Sequence, residues 1–243
     1  MIPAFLCVLS LPFLGTVSGA ACVFFMKRQQ HPGIQLILAG FAGGVMMAAS
    51  VWSLLIPAME YVSHLGKLAF LPAIAGIWGG YLFLSLADRL IPKATEGSGM
   101  LFLAVTLHNL PEGMAVGAAV AGWLTGIGGL SASAAIALAA GIGLQNIPEG
   151  AIISMPLSQD KASRTRAFGW GVLSGIVEPV GAIGTILLSH LMVPVLPFML
   201  SFSAGAMLYV ITEELLCGSP SKVRTYAFAA GFTVMLILDV ALG

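Results

Sequence analysis

The sequence predicts an all-α polytopic membrane protein, a bundle of eight transmembrane helices whose fourth and fifth members form an inverted-repeat central pair. Three observations carry this. Hydrophobic residues make up 58% of the chain and charged residues 8%, against roughly 25% charged in soluble domains, so water is not the main solvent of the fold. Eight apolar stretches reach the ~18 residues that a helix needs to cross a bilayer. The basic residues gather in alternate connections, as they do in a chain that weaves through a membrane.

The spans fall at about 3–26, 33–58, 68–92, 99–122, 128–157, 167–190, 193–216 and 225–243. The last is the shortest. Thirty glycines are spread through these runs rather than collected in linkers, which suits membrane helices. The connections are brief, so residues 1–243 are expected to form a single transmembrane domain. The first span has no basic leader and stays apolar up to Lys27-Arg28, so a retained helix is expected rather than a signal peptide. Cys7, Cys22 and Cys217 lie in or at the ends of apolar runs, at no metal-ligand spacing. Buried free thiols are expected there.

Orientation follows from ten basic residues. Lys27 and Arg28 follow span 1, Arg89 and Lys93 span 3, Lys161, Arg164 and Arg166 span 5, and Lys222 and Arg224 span 7; only Lys67, after span 2, is on the other side. The positive-inside rule then places the odd-numbered connections in the cytoplasm and both termini outside. A cell (inner) membrane location is expected, with the lipid bilayer as partner and no nucleic acid.

Glu112, Glu149 and Glu178 sit near the centres of spans 4, 5 and 6. A carboxylate at the bilayer midplane costs several kcal/mol unless it is paired, hydrated or bound to a cation. No Lys or Arg lies at that depth, so the partner must be a proton or a metal ion. The neighbours favour metal. Span 4 reads His108-Asn109-Leu110-Pro111-Glu112-Gly113 and span 5 reads Gln145-Asn146-Ile147-Pro148-Glu149-Gly150. In each, the first and fifth residues are one helical turn apart and share a face. His108 with Glu112 is a nitrogen–oxygen chelating pair, and Gln145 with Glu149 an oxygen pair. Asn109 and Asn146 point about a quarter turn away and are placed for an adjacent site.

Pro111 and Pro148 cannot donate to the carbonyls of Leu107 and Leu144, so both helices are expected to kink. Glu178-Pro179 repeats the arrangement on span 6 and is expected to release the Ser174 carbonyl. Such carbonyls at membrane depth need protein, water or an ion. The glycines after Glu112 and Glu149 allow close helix approach. A lone intramembrane histidine or proline is usually a packing feature; two copies of Asn-x-Pro-Glu-Gly on successive, antiparallel helices point to an ion site of the inverted-repeat kind.

On these motifs the chain resembles the Zrt/Irt-like (ZIP) family of metal transporters over essentially its whole length, and within it the bacterial GufA-like branch, whose fifth-helix motif begins with Gln. The resemblance implies eight helices with both termini outside, and import of Zn²⁺ and often other divalent ions. It also implies a two-metal centre between helices 4, 5 and 6. His108, Glu112, Gln145 and Glu149 match its first site; Asn109, Asn146 and Glu178 match its second, with Glu112 and Glu149 bridging. Some relatives carry an acid at the position of Asn146, so a weaker second site is implied. The His-rich loop that many eukaryotic members carry between helices 3 and 4 is missing.

Zn²⁺, Fe²⁺, Mn²⁺ or Cd²⁺ is expected as transported ion and not as a cofactor; imidazole with carboxylates suits such ions, and no thiolate favours Cu⁺. Two other functions fit the residues less well. A membrane-embedded metal-dependent hydrolase would need a water held by two metals, but the chain has no HExxH and no polar loop to receive substrate. A proton-coupled carrier of an organic solute lacks an intramembrane Arg or Lys for an anion. The chain is therefore read as a transporter and not an enzyme.

Two routes to the centre are expected. Met46, Ser53 and Glu60, spaced by seven residues, drift only ~20° per step around an ideal helix and would line an entrance from outside. Packing and a solvated helix end are the plain alternative. Thr212, Glu213 and Glu214 lie at the cytoplasmic end of span 7, as an exit relay or simply as a solvated end. Gly40-x-x-x-Gly44, Gly76-x-x-x-Gly80 and Gly171-x-x-x-Gly175 are expected to mediate helix contacts within the chain or across a possible homodimer.

Overall fold

In a lipid solvent every backbone N–H must find its acceptor inside the segment, and uninterrupted apolar runs satisfy this as helices. The computed structural model describes residues 2–25, 32–90, 98–126, 131–159, 163–188 and 195–242, and no strand occurs among them. The helices are α1 (Ile2–Ala21), α2 (Pro32–Ala49), α3 (Ile56–Tyr61), α4 (Phe70–Leu90), α5 (Ser98–Thr125), α6 (Ala132–Gln159), α7 (Arg164–Gly175), α8 (Val177–Leu187), α9 (Leu196–Val210) and α10 (Lys222–Leu242). The chain is thus an all-α polytopic membrane protein. Six stretches among the described residues are long and apolar enough to cross a bilayer: Leu6–Phe24, Gly33–Tyr61, Phe70–Arg89, Arg164–Leu187, Leu196–Glu213 and Lys222–Ala241. The two 28-residue helices α5 and α6 carry the acidic motifs and are about 42 Å long at 1.5 Å per residue.

Three expected spans are interrupted. The second passes from α2 through a π-helical turn, Ser50–Leu55, into α3, and the seventh ends in another, Ile211–Leu215. The sixth breaks at Ile176, between α7 and α8. By contrast α5 and α6 stay helical through Pro111 and Pro148. Strict counting pairs the missing N–H of Pro179 with the Gly175 carbonyl. The carbonyl that bonds outside its helix is the one before it, on Ser174, which accepts from Asn109 Nδ2 at 3.1 Å.

The most extensive helix pairings are α2 with α10, α1 with α6, α4 with α9 and α5 with α8. Glycine permits each. A Cβ on Gly44 would overlap the Phe228 carbonyl, one on Gly80 the Phe202 carbonyl, and one on Gly15 the Gly143 carbonyl. Gly40 likewise meets Arg224, Gly76 meets Ser201, and Gly171 and Gly175 meet Ala20 and Thr16. All three small-residue motifs are therefore filled by contacts within the chain.

The bundle is polar at its centre and apolar at its rim. Leu14, Trp78, Leu82, Leu86, Leu187 and Val240 are exposed, while Glu112, Gln145, Asn146 and Ser174 are fully buried. A soluble protein does not expose so much contiguous apolar surface. The cysteines follow the same rule and correct the expectation of buried thiols. None of the three is in a disulfide, but Cys7 and Cys217 are exposed and Cys22 half-buried, because an apolar side chain on a membrane helix faces lipid as readily as protein. Lys27, Arg28, Lys93 and Lys161 lie outside the described residues. Lys67, Arg89, Arg164, Arg166 and Lys222 are exposed at helix ends.

Candidate metal centre

The six described side chains of the motifs come from three helices and are all buried. Glu112, Gln145 and Asn146 are fully enclosed, Asn109 and Glu178 are 1% exposed, and Glu149 is 8% exposed. Asn109 and Glu112 come from α5, Gln145, Asn146 and Glu149 from α6, and Glu178 from the first turn of α8. His108 is on α5 one turn before Glu112; its side chain lies outside the described residues.

Glycine sets the helices close enough for these groups to meet. A Cβ on Gly113 would overlap the carbonyl oxygen of Glu178, so only glycine after Glu112 lets α8 deliver its carboxylate there. Gly150, after Glu149, does the same for α1, whose Thr16 carbonyl occupies the place of its Cβ.

The hydrogen bonds have a consistent sense. Gln145 Nε2 donates to Glu112 Oε1 at 2.6 Å. Asn109 Nδ2 donates to the Ser174 carbonyl at 3.1 Å, and Asn146 Nδ2 to the Pro12 carbonyl at 3.4 Å. Thr16 Oγ1 donates to Glu178 Oε1 at 2.6 Å. Each amide thus spends its N–H on protein and keeps its oxygen. Asn109 Oδ1, Glu112 Oε2, Gln145 Oε1, Asn146 Oδ1 and Glu178 Oε2 are buried and accept no hydrogen bond.

A buried acceptor left without a donor costs about 1–3 kcal/mol. Five in one cluster mark either a strained centre or one whose partner is a cation. Glu112 is also within Coulombic reach of both Glu149 and Glu178, and no Lys or Arg is buried with these three carboxylates among the described residues. Among the described residues no three His, Cys, Asp or Glu side chains make a metal-holding group by themselves. The donor set is instead a mixture of carboxylate and amide oxygens, with His108 adjoining it in sequence.

The pathway candidates are dispersed. Met46 is fully buried, Ser53 is buried on the first π-helical turn, and Glu60 is exposed on α3. The single stripe drawn through them assumes an unbroken α-helix. The π-helical turn between Met46 and Glu60 has more residues per turn, so seven-residue spacing does not by itself place them on one face. Thr212 and Glu213 are exposed on the second π-helical turn, where the Thr212 hydroxyl donates to the Leu208 and Tyr209 carbonyls. The Glu214 side chain lies outside the described residues.

Sequence reasoning missed several polar partners. Ser53 Oγ donates to Asp239 Oδ1 of α10 at 2.7 Å, and Tyr209 Oη donates to Asp88 Oδ2 of α4 at 3.0 Å. Asp239 and Asp88 are acids in or near apolar spans, a signal available in the sequence. Thr16 and Pro12 gave none, since a threonine and a proline in an apolar run read as packing.

A polytopic helical bundle with an apolar rim and a buried, oxygen-rich centre that holds several carboxylates defines an ion-handling membrane transporter. A family profile described as "ZIP Zinc transporter" matches residues 97–239. The chain is 39% identical to the zinc transporter GufA of Myxococcus xanthus, covering 89% of each. It is 33% identical to the zinc transporter ZIP11 of Xenopus tropicalis, covering 94% of each. With the zinc transporter ZIPB of Bordetella bronchiseptica it shares 30% identity over 95% of this chain and 79% of that one. The chain belongs to the ZIP family, in the GufA-like branch, and is a divalent metal-ion transporter rather than an enzyme.

Proposed function

We propose that this protein imports divalent transition-metal ions, Zn²⁺ foremost and Fe²⁺, Mn²⁺ and Cd²⁺ as further cargo, across the inner membrane into the cytoplasm through a midplane two-metal site. The observation that supports this best is the set of five buried oxygens without donors, among three carboxylates with no Lys or Arg buried beside them among the described residues. The relatives named above carry zinc in their names, which favours Zn²⁺.

In this reading His108, Glu112, Gln145 and Glu149 hold the first ion, and Asn109, Asn146 and Glu178 the second, with Glu112 and Glu149 between them. The Gln145–Glu112 hydrogen bond leaves one oxygen of each group for metal. Asn146 is a neutral amide, so the second ion is held by less charge than it would be with an acid at that position and leaves more easily, which suits a carrier. Affinity alone would follow the divalent series rather than biological need.

Spans 4 and 5 complete the count of eight, and the basic residues put both termini outside. Ions would enter past Glu60, Ser53 and Met46, with Asp239 beside Ser53, and leave past Thr212, Glu213 and Glu214. The test is uptake of radiolabelled zinc by cells expressing the protein, with Glu149→Ala as the defective control. Uptake by a well-inserted Glu149→Ala protein at the wild-type rate would overturn the site assignment.

A further inference from the structure

We propose that Thr16, on the first helix, is a specificity-determining positioning residue of the metal centre: it reserves Glu178 as a one-oxygen ligand and so disfavours ions that need more oxygens than Zn²⁺. This rests on Glu178 being a ligand of the transported ion.

Thr16 is 1% exposed and far from the motifs in sequence. Its hydroxyl has one proton and two acceptors in reach. The Pro12 carbonyl, one turn back, is 3.5 Å away, while Glu178 Oε1 is 2.6 Å away. The short distance is that of an O–H bond to a carboxylate, and the long one is at the limit of a hydrogen bond. A threonine in a helix commonly bonds its own carbonyl four residues back; here the proton goes across to α8.

The surroundings fix that choice. A Cβ on Gly175 would lie 3.0 Å from both Thr16 Cβ and Cγ2, and a Cβ on Gly150 would overlap the Thr16 carbonyl. Thr16 therefore occupies a slot between α6 and α7 that two glycines open. A β-branched side chain is already stiff about χ1, so its methyl fills the slot and its hydroxyl points at Glu178. The same turn of α1 acts on Asn146, whose Nδ2 donates to the Pro12 carbonyl at 3.4 Å.

One consequence is shared by both contacts. Glu178 Oε1 and Asn146 Nδ2 are engaged by α1, and Glu178 Oε2 and Asn146 Oδ1 remain, buried and without donors. Each group offers one oxygen. Zn²⁺ is satisfied by about four ligands, whereas harder ions take more oxygens and accept two-oxygen carboxylates. Carboxylate-rich sites suit Mn²⁺. Removing the Thr16 proton frees Oε1 and lets Glu178 bind through both oxygens.

The experiment is equilibrium binding of Zn²⁺ and Mn²⁺ to purified protein, by competition with a chromophoric chelator. Thr16→Val keeps the shape of the side chain and removes the donor. It should lower the Zn²⁺-over-Mn²⁺ preference at least about tenfold, the scale of one hydrogen bond to a charged group. Thr16→Ser, which keeps the hydroxyl, should restore the wild-type ratio. In a Glu178→Gln background, Thr16→Val should change the ratio no further, because Thr16 acts through that carboxylate. An unchanged ratio in Thr16→Val, an equal shift in Thr16→Ser, or a further shift in the Glu178→Gln background would each overturn the proposal while leaving the metal centre intact. Wild-type protein that binds neither ion would overturn both.

Discussion

Gln145 Nε2 donates to Glu112 Oε1 at 2.6 Å, joining α6 to α5 through one side-chain bond at the buried centre. That bond engages the Gln145 N–H and one Glu112 oxygen, while Gln145 Oε1 and Glu112 Oε2 are buried without a donor. Glu112→Ala should therefore cost twice. It removes a ligand charge, and it leaves the Gln145 amide buried without an acceptor, at about 1–3 kcal/mol. Zinc uptake should fall below detection, and the melting temperature of the detergent-purified protein should fall as well. Glu112→Gln restores an acceptor, so it should recover the stability and not the transport.

The close approach at Gly113 makes a second prediction. Gly113→Ala places a methyl group where the Glu178 carbonyl oxygen lies; overpacking of this kind typically costs about 1–3 kcal/mol. The helices must separate, Glu178 moves with α8, and transport should fall at least tenfold, by roughly the scale of the strain. Gly184→Ala, on the same α8 but facing open space, should leave uptake and melting temperature unchanged. Equal effects in radiolabelled uptake would contradict the role given to the α5–α8 contact.

Asn146 and Glu149 are both buried on α6, but only one carries charge. Loss of a neutral oxygen weakens the hold on a dication less than loss of a carboxylate. Asn146→Ala should raise the KM for zinc several-fold and leave a measurable rate, while Glu149→Ala should leave none. Kinetics of initial uptake over a range of zinc concentrations distinguishes the two, and equal loss in both would contradict the division between strong and weak ligands.

The half-buried Asp239 accepts from Ser53 at 2.7 Å, beside the proposed entrance. An acid that collects cations before the centre affects capture more than the later steps. Asp239→Asn should raise KM with little change in the maximal rate, and Ser53→Ala should do so more weakly. A fall in maximal rate at constant KM would place Asp239 after capture and not at the entrance.

Much of the centre was legible in the sequence because its clues are local. Glu112, Glu149 and Glu178 stand within apolar runs that carry no Lys or Arg near them in sequence, and each Asn-x-Pro-Glu-Gly motif follows a polar residue one turn before its glutamate. Glycine after Glu112 and after Glu149 signalled close contact, and Gly113 and Gly150 meet α8 and α1. The contribution of α1 was not legible. Thr16 and Pro12 reach the centre only because Gly150 and Gly175 open a slot between two distant helices, a relation that no spacing within α1 records. The entrance stripe met a similar difficulty. Seven-residue spacing holds for an unbroken helix, and the π-helical turn at Ser50–Leu55 leaves no obvious mark in composition. Nor did the prolines behave alike: Pro111 and Pro148 are carried within continuous helices, whereas the sixth span breaks at Ile176. Packing around each site decides which outcome prevails.

The central claim is that the buried oxygens of α5, α6 and α8 are ligands for a divalent cation. The most direct measurement is the metal content of purified protein, with its melting temperature before and after chelation. Wild-type protein should hold zinc at up to two ions per chain, in keeping with two adjoining sets of oxygens. Stripping the metal should lower the melting temperature, since an ion at one hundred times its Kd stabilises the fold by about 2.7 kcal/mol. The Glu112→Ala and Glu149→Ala proteins should hold far less and respond far less to chelator. Wild-type protein free of metal after equilibration with zinc, or a Glu112→Ala protein with the wild-type content and the wild-type response, would contradict the account.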